Sequence, residues 1–492
     1  MPLTRLVACA ILLKASLGRV WRTGWKGPEA TDVKKTLYPD FAVNLFTHSL
    51  RRASREWVCL LALAFIGLAA ACATARAEPA ATELLNVMEA EGFENLVVAE
   101  SPDGTLRVAF EDRRYRWEVY GLGVALAMAA ARHSGPIVVI PLHTGIPMAR
   151  IAVTGADYRA FLRGDLSEDE LFARTTISNT VPPEEKVRVE NARNRSFGKV
   201  DITFSPGIRI NLITPAPPGV FSGGEVRVNP GVYSNLWRGL TFDATYSYPL
   251  SSSDPVIARA AASVNARVGN QGFLQAQGGR LADGLNGFAG QFSYLSRDGR
   301  HLVGANAASA GYSAPGWERT LAYQAFYSVR AWDVAADFLN RASGHGGRLR
   351  PDAADVVLTF SAGRYLARDD GYGLTLSSGF RERRIEFALI KTKRATTLAA
   401  GFVVPLGHQR QPYPGPVRAR WRNEFGFVYT DPMEKEWDRQ DSGLYVPFMD
   451  RFQLSTRRLN RAYLRAYADR LRQAGRGWSG GELPADATES RE

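Results

Sequence analysis

From Ser196 to Tyr429 the chain alternates residue by residue between apolar and polar positions, in runs about ten residues long separated by turn sequences. In Leu240–Tyr248 the even positions are Leu, Phe, Ala, Tyr and Tyr, and the odd positions are Thr, Asp, Thr and Ser. Successive strand side chains point to opposite faces, so this pattern predicts a strand with one apolar face and one polar face. The pattern recurs with Phe288, Gly290, Phe292 and Tyr294 against Ala289, Gln291 and Ser293. It recurs again with Leu321, Tyr323, Ala325, Tyr327 and Val329 against Ala322, Gln324 and Ser328. Turn residues join the runs: Arg297-Asp298-Gly299-Arg300, Arg368-Asp369-Asp370-Gly371 and Gly269-Asn270-Gln271-Gly272. A soluble sandwich would hide the apolar face inside, whereas a transmembrane barrel would turn it to lipid and keep the polar face in the lumen.

Residues 80–195 follow a different pattern. A helix is expected over Thr82–Glu91 with Leu84, Leu85 and Met88 on one face. Strands are expected at Asn95–Ala99, Leu106–Glu111, Arg114–Glu118, Gly135–Leu142 and Ile151–Thr154, with an Ala-rich helix at Gly123–Ala131. Gly121-Leu122-Gly123 reads as the turn leading into that helix. It lacks the third glycine and the Lys-Ser/Thr of a phosphate loop. Ser167 with Glu170 three residues on forms a capping-box signature. The expectation is a small α+β domain, with the polar, Pro-containing stretch Val181–Lys186 as its boundary. After Tyr429 an Arg-rich stretch, Arg457–Arg465, reads as a helix followed by a polar tail, so residues 451–492 are a C-terminal helix and tail.

Ahead of this lies an export signature. Arg51-Arg52-Ala53-Ser54-Arg55 precedes the apolar run Trp57–Ala71, and Ala75-Arg76-Ala77 offers a cleavage site, so residues 51–77 read as a signal peptide. Leu68-Ala69-Ala70-Ala71-Cys72 is a competing lipobox-like sequence in which Cys72 would be acylated. Met1 is the only Met before Met88, and residues 1–50 are expected to be a start-site overcall or a disordered lead.

Composition narrows the chemistry. The net charge is +12, with 61 basic residues, most of them Arg. Such a balance suits acidic polysaccharide or lipid phosphate. No helix carries a basic stripe interleaved with aromatics, which argues against nucleic acid. The three cysteines, Cys9, Cys59 and Cys72, all precede the folded part, so a disulfide framework or Cys metal site is not expected there. The six histidines show no metal-ligand spacing, and His133 and His143 read as surface or capping residues. His301 and His408 lie near strand ends, but no Ser stands in a G-x-S-x-G setting. No catalytic, cofactor or metal residues are assigned. Trp237, Tyr246, Tyr248, Tyr323 and Tyr327 read as girdle or core aromatics.

The segment Gly363-Arg364-Tyr365-Leu366, continuing through Asp369-Asp370-Gly371 to Phe380 and closing at Phe402-Val403-Val404-Pro405-Leu406, resembles the YjbH family of exopolysaccharide-biosynthesis proteins. Asn235–Leu240 leading to Tyr248-Pro249-Leu250, and Phe273–Gly279 leading to Phe292-Ser293-Tyr294, are similar to that family in the same order, over roughly residues 196–450. The family's usual Trp in the hairpin is Asp370 here. The resemblance implies a Gram-negative outer-membrane β-barrel, in some members a lipoprotein, that serves secretion or assembly of exopolysaccharide.

The expected fold is therefore mainly β: an antiparallel outer-membrane-type barrel of about 12–14 strands at 196–450, preceded by a periplasmic α+β domain. The expected partners are outer-membrane lipid, an acidic exopolysaccharide and other export proteins. Arg364, Arg381, Arg383 and Arg384 are the candidate lumen residues, because guanidinium forks pair carboxylates bidentately. Two alternatives stand beside this: a soluble periplasmic β-rich binding or scaffold protein, and a membrane-associated barrel hydrolase.

Overall fold

A computed structural model describes residues 79–182, 191–210, 224–250, 254–282, 284–312, 319–342, 355–365, 369–380, 382–393, 396–432 and 459–478. The leader with Cys72, Arg381 and the polar C-terminal tail lie outside the described residues.

The first part is a six-stranded sheet, β1 (Glu94–Glu100), β2 (Leu106–Glu111), β3 (Pro136–His143), β4 (Ile146–Pro147), β5 (Arg150–Thr154) and β6 (Thr176–Ser178). Its order is β1-β2-β3-β5-β6, with β4 on β3. The β2–β3 pair is parallel, crossed over by helix α2 (Glu118–Arg132), and the other pairs are antiparallel. Helix α1 (Pro79–Glu91) buries Leu84 and Met88, and α3 (Gly155–Arg163) buries Tyr158 and Phe161. Helix α4 (Glu168–Arg174) opens on a complete Ser167/Glu170 capping box.

At two places the structure departs from the local sequence pattern. Gly121 and Gly123 lie inside α2, not in a turn before it. They are needed for close packing: a Cβ on Gly123 would come within 2.6 Å of the Leu471 carbonyl. Arg114–Glu118 is not a strand. Only Tyr115 bridges, to Arg410, and Glu118 already begins α2. The C-terminal helices α6 (Arg461–Ala466, capped by Asn460) and α7 (Ala468–Gly477) return to this domain. Leu471 and Ala474 join its core, and Trp117 Nε1 donates to Tyr463 Oη at 2.9 Å.

The second part is a 14-stranded sheet. From β7 (Val200–Ile210) it runs through β8 (Gly224–Trp237), β9 (Leu240–Pro249), β10 (Val256–Val268), β11 (Gly272–Ala282), β12 (Leu285–Leu295) and β13 (His301–Tyr312). It continues with β14 (Thr320–Arg330), β15 (Asp355–Arg364), β16 (Asp370–Phe380), β17 (Arg383–Thr392) and β18 (Thr396–Pro405), each antiparallel to the one before. The two outermost strands are β19 (Val417–Trp421), parallel to β7, and β20 (Glu424–Pro432), antiparallel to β18. Only residues 422 and 423 separate them, and both run in the same direction. They stand at the two ends of the strand order, β19 beside β7 and β20 beside β18. A helix, α5 (Ala331–Ala342), follows β14 directly; the alternation of the flanking strands gave no indication of it.

Polarity across this large sheet is inverted. On β9, Thr241, Asp243, Thr245 and Ser247 are buried, while Phe242, Tyr246 and Tyr248 are exposed. Ser263, Gln275, Gln291, Asn306 and Gln324 are buried on β10–β14, and Phe288, Val303, Leu321, Leu376 and Phe387 are exposed on β12–β17. The α+β domain and the C-terminal helices pack at one end of the sheet. Phe273, Leu295 and Leu302 share their core. Gly239 ends the β8–β9 hairpin at φ 72, where its N–H donates to the Thr144 carbonyl and a Cβ would fall 2.1 Å from the Asn265 carbonyl. Only glycine fits that contact.

Candidate functional site

The polar face of the sheet and the α+β domain together line a partly open cavity of about 570 Å³. Its wall comes mainly from polar-face residues of β7–β11 and from the β19–β20 segment. The closing face comes from Phe110–Glu118 and Pro141–Thr144.

Two carboxylates hold that closing face in place. Glu111, the last residue of β2, is 3 % exposed. It accepts from the backbone N–H of Thr144 and Gly145, each at 3.0 Å, from Asn95 Nδ2, and from Asn235 Nδ2 on β8 at 3.0 Å. A buried carboxylate tolerates its desolvation when its lone pairs are filled by donors, as here. Asp201 on β7 is 1 % exposed and binds three guanidiniums. Arg418 of β19 forks onto both its oxygens at 2.9 and 2.8 Å, Arg420 donates at 2.8 Å, and Arg113 of the α+β domain lies at 2.8 Å. One side chain thus joins β7, β19 and the α+β domain. Arg116 adds a two-pronged pair with Glu382 at 2.6 and 2.9 Å.

Most of the cavity's charge is matched internally. Arg259 pairs with Asp243 at 2.5 Å, and Arg113 and Arg420 converge on Asp201. Two groups facing the cavity have shifted protonation. Asp112 accepts at Oδ1 from the N–H groups of Arg114 and Tyr115, while its Oδ2 makes no hydrogen bond and packs on Gly121. Burial pushes its carboxyl up to about 8, outweighing those two hydrogen bonds; Glu118 adds to the rise and Arg418 opposes it. Burial lowers the His143 imidazole to about 4. His143 is therefore a half-buried, neutral residue lining the cavity rather than the outer surface expected for it, whereas His133 is the C-cap of α2.

These shifts set a pH dependence. An unfolded Asp titrates near 4, so between about 4 and 8 the folded chain keeps a proton that the unfolded chain has released, and stability falls as pH rises. His143 acts oppositely between about 4 and 6.5, where the unfolded imidazole binds a proton that the folded one refuses. The two slopes offset each other up to about pH 6.5, and from there to about 8 Asp112 acts alone, contributing roughly 2 kcal/mol. Asp112→Asn, which keeps the acceptor oxygen, is expected to abolish the loss of stability between pH 6.5 and 8. The comparison is of urea midpoints at the two pH values. A dependence equal to that of the unmodified chain would exclude Asp112 as its source.

Of the described sequence-selected arginines, Arg383 and Arg384 line one small pocket with Arg330 and Asp355, and Arg364 lies apart from it. Arg384 stands on the polar parity of β17 with its Nε 2.7 Å from Glu386. Arg383 is opposite Phe380, and Arg364 is opposite Tyr323, both on the apolar face and at opposite ends of the sheet. His301 is also on that face, its Nδ1 2.8 Å from Tyr327 Oη, and His408 is exposed in the β18–β19 connection. Glu111, Asp201 and Asp112 were not singled out in the sequence. Their signal was a lone carboxylate closing an apolar strand, as in Leu106–Glu111, and an Asp on the polar parity of the first long strand. Among the described residues no group of His, Cys, Asp and Glu has the arrangement of a metal site. Compared with protein-family models, with curated proteins and with solved structures, the chain matches none.

Proposed function

We propose that this chain is a non-enzymatic outer-membrane β-barrel, closed at its periplasmic end by the α+β domain, that assists secretion or assembly of an exopolysaccharide. The observation that carries the reading is the inverted polarity of the 14-stranded sheet, with Thr241, Asp243, Gln275 and Gln291 buried and Phe288, Tyr248, Leu376 and Phe387 exposed. Water does not favour so extended an apolar surface, and lipid does. Only residues 422 and 423 separate β19 from β20, and reading the two as pieces of one broken strand supports closure. Twelve antiparallel strands, β7 to β18, plus one strand in two pieces give an odd number, and an odd number requires the parallel seam that β19 makes with β7. Strands of about ten residues, rising about 3.3 Å each and tilted about 40°, span the roughly 25 Å apolar band of such barrels. Arg364 and Arg383 then sit at the two rims, level with aromatics, where lipid phosphates lie. The soluble alternative leaves the exposed apolar face unexplained.

The polysaccharide assignment rests on the resemblance of Gly363–Phe380 and its companion segments, together with a lumen built of amides, hydroxyls and arginines such as Arg384. An acidic polymer would exchange its carboxylates for the internal ones that these guanidiniums now bind. Expression in a Gram-negative host, followed by gel electrophoresis of the outer-membrane fraction with and without heating, tests the barrel. A band whose mobility changes on heating is expected. Recovery in the soluble periplasm would remove the membrane reading and the export role with it.

A further inference from the structure

We infer that α5 is an interfacial helix whose outward face lies in the lipid of the periplasmic leaflet, an inference that rests on the membrane reading above. The helix is inverted in the same sense as the sheet. Asp333 is fully buried, its Oδ2 2.8 Å from Arg330 Nε, and Arg330 also holds Asp355 at 2.8 Å. Asp337 is ion-paired with Arg300 of the β12–β13 turn. With Ala336, which is buried, these residues form the docked face. At 100° per residue, Val334, Ala335, Phe338, Leu339 and Ala342 fall on the opposite side, and all are exposed, Phe338 at 68 %. An ordinary surface helix does the reverse, with its apolar stripe on the protein and its charges in water.

Three features select lipid as the occupant. The helix begins at the residue after Arg330, so it leaves the sheet at the rim where Tyr327 and Val303, neighbours on the exposed face, end the apolar surface. Its outward side is wholly apolar except for Arg341, which stands exposed at the edge of that side where a headgroup phosphate would be. It is 12 residues long, too short to cross a bilayer, so it lies along the surface and does not span.

The cysteine-free folded part makes the test direct. In the full chain with Cys9, Cys59 and Cys72 replaced by Ser, single cysteines are introduced as Phe338→Cys, Phe387→Cys and Asp103→Cys and labelled with an environment-sensitive fluorophore. The protein is reconstituted in phosphatidylcholine–phosphatidylglycerol vesicles carrying a spin label either near the headgroup or near the bilayer centre. Fluorescence at position 338 is expected to fall by about half with the shallow label and much less with the deep one. Position 387 should respond to the deep label, and position 103, in an exposed turn, to neither. Quenching at 387 without quenching at 338 would overturn the interfacial helix and leave the barrel standing. Absence of quenching at both would overturn the membrane reading itself. Protection of 338, together with disulfide-linked dimers of the unlabelled Phe338→Cys variant under an added oxidant, would assign that face to a second copy and also overturn the lipid assignment.

Discussion

Asp201→Asn is expected to destabilise the fold by about 3–5 kcal/mol, the cost of breaking a buried ion pair from one side. The carboxylate is the shared acceptor of Arg418, Arg420 and Arg113. The asparagine would keep one acceptor oxygen but lose the charge and turn an N–H₂ toward guanidiniums. Arg113 would retain Glu94 at 3.3 Å, and Arg420 would retain Asn423 Oδ1 at 2.7 Å. Arg418, itself buried, would keep the carbonyls of Arg113 and Pro412 but lose its two-pronged carboxylate partner. The position gives the loss a structural consequence, because Asp201 ties β7 to β19 and both to the α+β domain. Urea unfolding in detergent micelles measures the change, and limited proteolysis across residues 80–195 reports release of the domain. Replacing Asp201 by Leu together with Arg418 by Met should recover a large part of the loss, since an apolar pair has no stranded charge. A loss under about 1 kcal/mol for the single substitution would show that the cluster is not what holds the seam.

How far this architecture could be read in advance depended on the range of the interaction. Leu240–Tyr248 showed its two faces because the strand period is two, a property of the local backbone. The Asp298-Gly299 turn was visible because Asp298 bonds Ser296 and the Arg300 N–H within the turn, while Gly299 takes φ 74. Which face lies outward was not local, since that depends on how fourteen strands are arranged. The same period-two rule, applied to Arg383 and Arg384, places the first with Ile385 and Phe387 and the second with Glu386, so their separation onto two faces was legible and was not used. Helix α5 was missed because its amphipathic pattern lies between two strands where a hairpin was the simpler expectation. Glu111, Asp112 and His143 are remote in sequence from the strands they face, and only the docking of the domain turns them into one wall.

Phe387→Arg should separate the two environments of the sheet most sharply. Phe387 lies at the middle of β17, is 55 % exposed, and has Leu376 of β16 opposite it on the same face. In a soluble protein, a half-exposed Phe replaced by Arg would change stability by no more than about 0.5 kcal/mol and would improve solubility. At the midplane of a bilayer the same change costs about 2–4 kcal/mol, because a guanidinium meets hydrocarbon with no partner. Ser377→Arg provides the internal reference. Ser377 is on the neighbouring strand, paired with Glu386 on the inward parity, where an added guanidinium finds a carboxylate and a polar wall. The expected result is that Ser377→Arg reaches the outer membrane and keeps its heat-dependent mobility. Phe387→Arg should be depleted from that fraction and unfold at lower urea in lipid vesicles. Equal behaviour of the two variants would mean that the exposed apolar face does not meet lipid. The inverted polarity, on which both the barrel and the interfacial helix depend, would then need a protein partner to cover it.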